Sequence, residues 1–345
     1  MATPLTRRNF LKAGLLGATG LAGLAAASRL PAAPHDPHAH DPALTGPQPH
    51  HGAHTGDGTV GDVDTAQFDP MRYLSEFNSG RVSTLPNGQT LREWDLYAVD
   101  QEIEVAPGVK FPAWAYGLEG QPAQVPGPTF RCNAGDHLRF NFGNGSSHPH
   151  TVHFHGIHPP GMDGILPQVQ PGESFTYEFD AKPFGLHLYH CHSVPLKRHI
   201  HKGLYGTFIV DPPGGRAPAK ELVMMMNGFD TNLDCENEIY AVNTVAFHYA
   251  RHPIPVKVGE LVRIYLVNIT EFDPINSLHL HAGMYKLFKT GTRLDHYEFT
   301  DTVMLCQGER AVLEFTPDYP GQYMFHAHQS ELAELGWMGM FEATE

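Results

Sequence analysis

The chain has 345 residues, room for two average domains, and its 37 acidic against 23 basic side chains give a formal net charge of −14. So acidic a balance argues against nucleic acid as a partner. Charged residues make up 17% of the chain while histidine, the commonest metal ligand, reaches 24 copies, so composition alone directs attention to metal.

The chain opens with Thr6-Arg7-Arg8-Asn9-Phe10-Leu11-Lys12 followed by small apolar residues from Ala13 to Ala27, the pattern of a twin-arginine export signal over residues 1–33. That run is too short and too rich in Gly and Ala for a membrane anchor, and no later stretch is long enough to span a bilayer. The expectation is an exported protein, periplasmic or secreted, with no membrane and no nucleic acid among its partners. Residues 34–61 are Pro, His, Gly, Asp and Thr with almost nothing apolar, which predicts a disordered segment. Its histidines His35, His38, His40, His50, His51 and His54 fit either of two readings, collection of metal for delivery or a solvated tail with weak, non-specific affinity.

Short β-branched or aromatic runs then alternate with Gly, Pro, Asn and Asp turns. They fall at Trp94–Val99, Thr129–Phe142, Phe175–Phe179 and Leu204–Val210, and again at Leu222–Asn227, Glu238–Val242, Leu261–Asn268, Tyr285–Phe288, Ala311–Phe315 and Tyr323–Phe325. This spacing predicts an all-β chain of two tandem β-sandwiches, residues 70–213 and 214–345, divided near Pro212–Pro218. Met224-Met225-Met226 reads as an apolar core strand rather than a cuprous-ion site.

Four His-X-His pairs recur at matching places in the two halves: His153 with His155, His190 with His192, His279 with His281, and His326 with His328. The further pairs His38/His40, His148/His150 and His199/His201 have no counterpart, so spacing alone is not decisive. On a strand, residues i and i+2 share a face, so each matched pair presents two imidazoles side by side. Eight imidazoles exceed the needs of one metal ion and suit a cluster of three coppers. Cys191, between His190 and His192, projects from the other face, and His150 has the parity to join it. A thiolate and two imidazoles with a weak axial partner is the blue-copper donor set. Its second imidazole is His199 or His201, and His199 is favoured by the following Gly203-Leu204.

His150-Thr151-Val152-His153-Phe154-His155-Gly156 and His190-Cys191-His192 resemble the two signatures of the multicopper oxidases, and Pro126-Gly127-Pro128-Thr129, Asp163-Gly164 and Pro171-Gly172 match that family as well. The resemblance covers roughly residues 90–345 and implies two cupredoxin-like Greek-key β-sandwich domains in tandem. Domain 2 departs from the pattern, with Asn276 and Ala327 where a blue-copper histidine and cysteine would stand. The resemblance is therefore to two-domain laccases with the type 1 copper in domain 1, and more distantly to copper nitrite reductase.

That resemblance implies four coppers per chain: type 1 at His150, Cys191 and His199 with Leu204 axial and non-coordinating, type 2 at His153 and His279, and type 3 at His155, His190, His192, His281, His326 and His328. It further implies Cys191 as the electron bridge, Asp163 as an acid beside the type 2 copper, dioxygen and a small reducing substrate as partners, and a homotrimer with the cluster between subunits. A nitrite reductase carries aspartate where this chain has His153 and does not need His192 or the domain 2 pairs. A copper carrier needs no cysteine-centred electron route. Among Cys132, Cys235 and Cys306 the sequence leaves any disulfide unassigned.

Overall fold

A computed structural model describes residues 61–345; the predicted export signal and the histidine-rich segment up to residue 60 lie outside the described residues. After a short helix α1 (Pro70–Tyr73) come β1 (Arg81–Thr84), β2 (Thr90–Ala106), β3 (Val109–Leu118), β4 (Gly127–Asn133), β5 (His137–Asn144), β6 (His153–Phe154), β7 (Ser174–Asp180), β8 (Gly185–His190), α2 (Leu196–His201) and β9 (Tyr205–Asp211). One sheet runs β1-β2-β5-β7 with β3 paired to β2, and the other runs β4-β9-β8-β6. Trp94, Phe130, Phe140, Phe154, Tyr189 and Cys191 fill the space between them. Trp94 stacks on Phe140 with ring centroids 4.5 Å apart.

The second half comprises β10 (Lys220–Phe229), β11 (Ile239–Val242), α3 (His248–Arg251), β12 (Ile254–Lys257), β13 (Val262–Asn268), β14 (Ile275–Leu280), β15 (Tyr285–Lys289), β16 (Glu298–Thr300), β17 (Thr302–Cys306), β18 (Arg310–Phe315), β19 (Gly321–His326), α4 (Ser330–Glu334) and β20 (Met338–Thr344). Its sheets are β11-β10-β13-β18-β15-β16 and β12-β20-β19-β14-β17.

A third apolar layer joins the halves. Leu186, Leu188 and Ile209 on β8 and β9 meet Val223 and Met225 on β10, Val267 on β13 and Val312 on β18. Strand alternation explains why β10 is apolar on both faces: Leu222, Met224 and Met226 enter the second sandwich's core, while Val223 and Met225 face the first sandwich. An ion network crosses the same junction, with Arg131 holding Asp211 at 2.7 Å and Glu221 at 2.6 Å, and Arg263 holding Glu221 at 3.1 Å and Glu314 at 2.7 Å.

The single run expected at Thr129–Phe142 is two strands, because the chain turns at Ala134-Gly135-Asp136 with Gly135 at φ +88°. β3 and β20 are strands that alternation did not reveal, and β8 and β14 were expected only around their histidine pairs. β8 is buried at all six positions, so it lacks the polar outer face on which an alternating pattern depends. All four cysteines are free.

Candidate metal centres

β8 delivers its side chains to two different places. Leu186 and Leu188 face the layer between the halves, whereas Tyr189 and Cys191 enter the domain 1 core. Cys191 Sγ there lies 3.3 Å from His199 Nδ1 and 3.8 Å from His150 Nδ1, and the two nitrogens are 3.1 Å apart. All three residues are buried. His150 Nε2 is 2.8 Å from Ser146 Oγ, a bond that puts the imidazole proton outside the triangle and turns the Nδ1 lone pair inward. Burial pushes the pKa of His150 down to about 3 and that of His199 down to about 4, so both rings are neutral and able to ligate. Burial pushes the Cys191 thiol up, and a metal at this point would displace its proton. Thr151 N, 3.3 Å from Sγ, and Ser193 N, 3.5 Å away, donate to the sulfur.

His199 and His201 part company because they sit on α2, where a step of two residues turns about 200° and sends the side chains to opposite sides. His201 faces Phe111 and Phe272, and its Nε2 accepts from Asp230 N at 3.1 Å. Gly203, at φ +110°, returns the chain to β9; a Cβ there would lie 2.6 Å from Val125 Cγ2 and 3.0 Å from Trp114 O. Leu204 follows, fully buried in the core that holds Cys191, and offers no donor atom.

On the opposite face β6 pairs with β8 so that His153 stands across from His190. His155 and His192 lie just beyond the strand ends, yet each ring stays beside its partner: centroids are 5.0 Å apart for His153/His155 and 6.0 Å for His190/His192. His153 Nδ1 donates to Asp163 O at 2.6 Å, and His190 Nδ1 to Cys191 O at 3.0 Å, which leaves both Nε2 atoms free for a metal. His155 Nε2 and His190 Nε2 face each other at 3.2 Å, an arrangement that suits a cation between them. Asp163 Oδ1 lies 3.4 Å from His153 Nδ1 and 3.7 Å from His158 Nε2. Gly164 supports this corner at φ +78°; a Cβ at this residue would collide with Val152 O and lie only 2.7 Å from His153 Cα.

Domain 2 repeats the pattern. His279 stands across from His326. His279 Nδ1 is 3.1 Å from Asp301 O and 2.9 Å from Thr302 Oγ1, and His326 Nδ1 donates to Ala327 O at 2.6 Å. His281 Nε2 faces His326 Nε2 at 2.9 Å, and His328 lies beside His279 with centroids 5.3 Å apart. The correspondence extends to the backbone, since His192 N donates to Thr151 Oγ1 at 3.0 Å and His328 N donates to Ser277 Oγ at 2.8 Å. Ser146, Trp114, Asp301 and these two hydroxyls were missed from sequence. The signal for the hydroxyls was their place directly after the matching positions His150 and Asn276.

The second sandwich has no counterpart of the thiolate site. Cys191 N donates to Leu204 O at 2.9 Å, and likewise Ala327 N donates to Trp337 O at 3.1 Å, so Trp337 takes the backbone place of Leu204 and is fully buried there. Asn276, also fully buried, replaces the ligand imidazole.

The two imidazole sets remain apart. Among the described residues, every group of three or more metal-competent donors within 4.8 Å of one another comes from one half alone. Domain 1 presents its set on the β4-β9-β8-β6 sheet and domain 2 on the outer face of the β12-β20-β19-β14-β17 sheet, with the remaining domain 2 sheet between them. The donor chemistry fits copper: a buried cysteine sulfur with two imidazoles at one place, and facing imidazole pairs at the others.

Sequence models of multicopper oxidases match residues 108–215 and 216–345. The fold is similar to a solved multicopper oxidase at 52% identity and a TM-score of 0.79, covering 83% of this chain and all of that one. Curated relatives include a probable nitrite reductase-hydroxylamine oxidoreductase fusion protein of Kuenenia stuttgartiensis, 30% identical over 73% of this chain and 31% of its own length. A copper-containing nitrite reductase of Neisseria meningitidis is 28% identical over 68% of this chain and 64% of its own. The chain thus spans less than two thirds of these curated relatives.

Proposed function

The chain belongs to the multicopper oxidase family, and from that premise we propose that it is a laccase-like oxidase coupling one-electron oxidation of a small reducing substrate, a phenol, an aromatic amine or a metal ion, to four-electron reduction of dioxygen to water. The observation that carries this reading is Cys191, whose sulfur lies in the buried three-donor pocket while His190 and His192 on either side belong to the imidazole set on the opposite face. Copper held at His150, Cys191 and His199 supplies one-electron transfer, and copper held by the eight paired imidazoles supplies dioxygen reduction. Cys191 and its neighbours give electrons a covalent path with no diffusion step. Leu204, buried beside the pocket, offers no donor atom to a copper held there, which would favour a high potential. Asp163 is the carboxylate placed to pass protons towards the His153 side.

Separation of the imidazole sets supports a cluster shared between copies, closing as a homotrimer. Apolar residues flank both sets: Ile157, Leu166 and Val194 are exposed at 59%, 68% and 84% beside the first, and Ile275 and Met304 at 46% and 68% beside the second. Surfaces of this kind mark contacts between proteins. Export by the twin-arginine route to a periplasmic or secreted location completes the proposal.

The second reading is a copper nitrite reductase, favoured by the curated relatives. Copper content of a chain beginning at Asp62 separates the two. About four coppers per chain are expected for one thiolate site and a three-copper cluster, whereas about two would return nitrite reduction to first place.

A further inference from the structure

The chain is acidic, yet from residue 181 to residue 210 it contains no Asp or Glu and carries Lys182, Lys197, Arg198 and Lys202. This stretch includes α2 and the ligand His199. Lys197 and Arg198 are exposed, and neither forms a salt bridge among the described residues. Lys197 leans towards the loop of Asp234 and Glu236, with Nζ 3.6 Å from Cys235 Sγ. Arg198 turns the other way, its guanidinium 5.2 Å from the centroid of Trp114. Asp100, beside His148, accepts from Ser146 and Ser147 and forms no salt bridge with Arg198.

Trp114 packs its ring against His150 at 5.0 Å, His199 at 4.8 Å and the half-buried His148 at 4.6 Å. A column of guanidinium, indole and imidazole thus runs from solvent to both ligand rings of the thiolate site. Trp114 is itself only 5% exposed, so a flat aromatic molecule resting on the half-buried His148 meets the edge of the indole and brings a substituent under Arg198. Arginine prefers a planar carboxylate in such a setting, and a metal cation would meet like charge at Arg198.

We propose that Arg198, with the Trp114–His148 edge, is the docking site for the reducing substrate and selects aromatic carboxylates such as phenolic acids over neutral phenols and metal cations. The proposal rests on the oxidase reading. Each bound phenolic acid gives up one electron to the protein and its hydroxyl proton to solvent. Four such oxidations balance one dioxygen and four protons, yielding two waters.

The test uses the copper-loaded full chain and the ratio of kcat/KM for syringate to kcat/KM for 2,6-dimethoxyphenol, which differ by one carboxylate. Arg198→Gln should lower that ratio about three- to fivefold through KM, the span of an exposed ion pair. Arg198→Glu should lower it further, Arg198→Lys should keep most of it, and added salt should shrink the difference. Arg293→Gln, which removes an exposed arginine paired with Asp295 in domain 2, is the charge control and should leave the ratio unchanged. Calorimetric titration with 3,5-dimethoxybenzoate, which has no oxidisable hydroxyl, should show weaker binding in Arg198→Gln. An unchanged ratio in Arg198→Glu, equal calorimetric binding, or a higher kcat/KM for ferrous ion than for syringate would overturn the proposal. No oxygen consumption with any donor in the parent chain would instead sink the oxidase reading itself.

Discussion

His199 Nδ1 stands 3.1 Å from His150 Nδ1, although the two residues are 49 positions apart in the chain. His201, only two residues further on, is on the other side of α2. His199→Ala should therefore abolish the visible thiolate–copper absorption. His201→Ala should keep that band and lose about 1–3 kcal/mol of stability, since it leaves Asp230 N without its buried acceptor. Loss of the band in His201→Ala would contradict the placement.

Cys191→Ser should bind about one copper fewer per chain and cease to oxidise donors, because a hydroxyl replaces the thiolate while the facing imidazoles are untouched. Metal analysis alongside oxygen-electrode kinetics checks both halves of this expectation.

A cluster shared between copies makes a mixing prediction. A chain with His155→Ala and His190→Ala and a chain with His281→Ala and His326→Ala should each be inactive alone. Refolded together at equal amounts, they should recover about a quarter of full oxygen consumption, the statistical share of junctions with both intact sets in a closed ring. No recovery would place the cluster within one chain.

Gly164→Ala adds a Cβ where the backbone is left-handed and Val152 O stands in its way. The strained turn should shift Asp163 and His153 and reduce copper at the cluster, with the visible band of the thiolate site retained. Metal counts and absorption on the same sample decide it.

His248 is buried away from both metal sites, and burial lowers its pKa to about 4. The unfolded residue titrates near 6.5, so between about pH 6.5 and about pH 4 the unfolded chain binds the extra proton. Stability should fall as pH drops through that window and level off below it. His248→Gln should flatten the slope of the urea midpoint against pH over the same range; an unchanged slope would show that His248 does not contribute.

Much of this site was legible because strand parity is rigid. Alternation alone put Cys191 and His150 on one face and the paired imidazoles on the other, and the structure has that arrangement. Parity failed at His199 and His201, where a helix replaces the strand. β8 and β14 were reached through their histidine pairs and not through apolar runs, because the histidines, serine and asparagine that serve the site break the apolar signal. Of the groups around the ligands, Trp114 was illegible because the packing of the two sheets brings it in from β3, and Ser146, only four residues before His150, because the loop between them has no periodicity to read.

Trp337 gives the duplicated architecture a direction. The two halves contribute matching imidazoles, but the indole and Asn276 occupy the place from which the second half could have supplied current. Under the proposed function, each oxygen-reducing centre has a single inlet, on its domain 1 side, and depends on the second domain only for ligands. A closed ring of such chains is then a set of parallel circuits with a fixed rotational sense, and damage to one Cys191 silences one centre without starving the others.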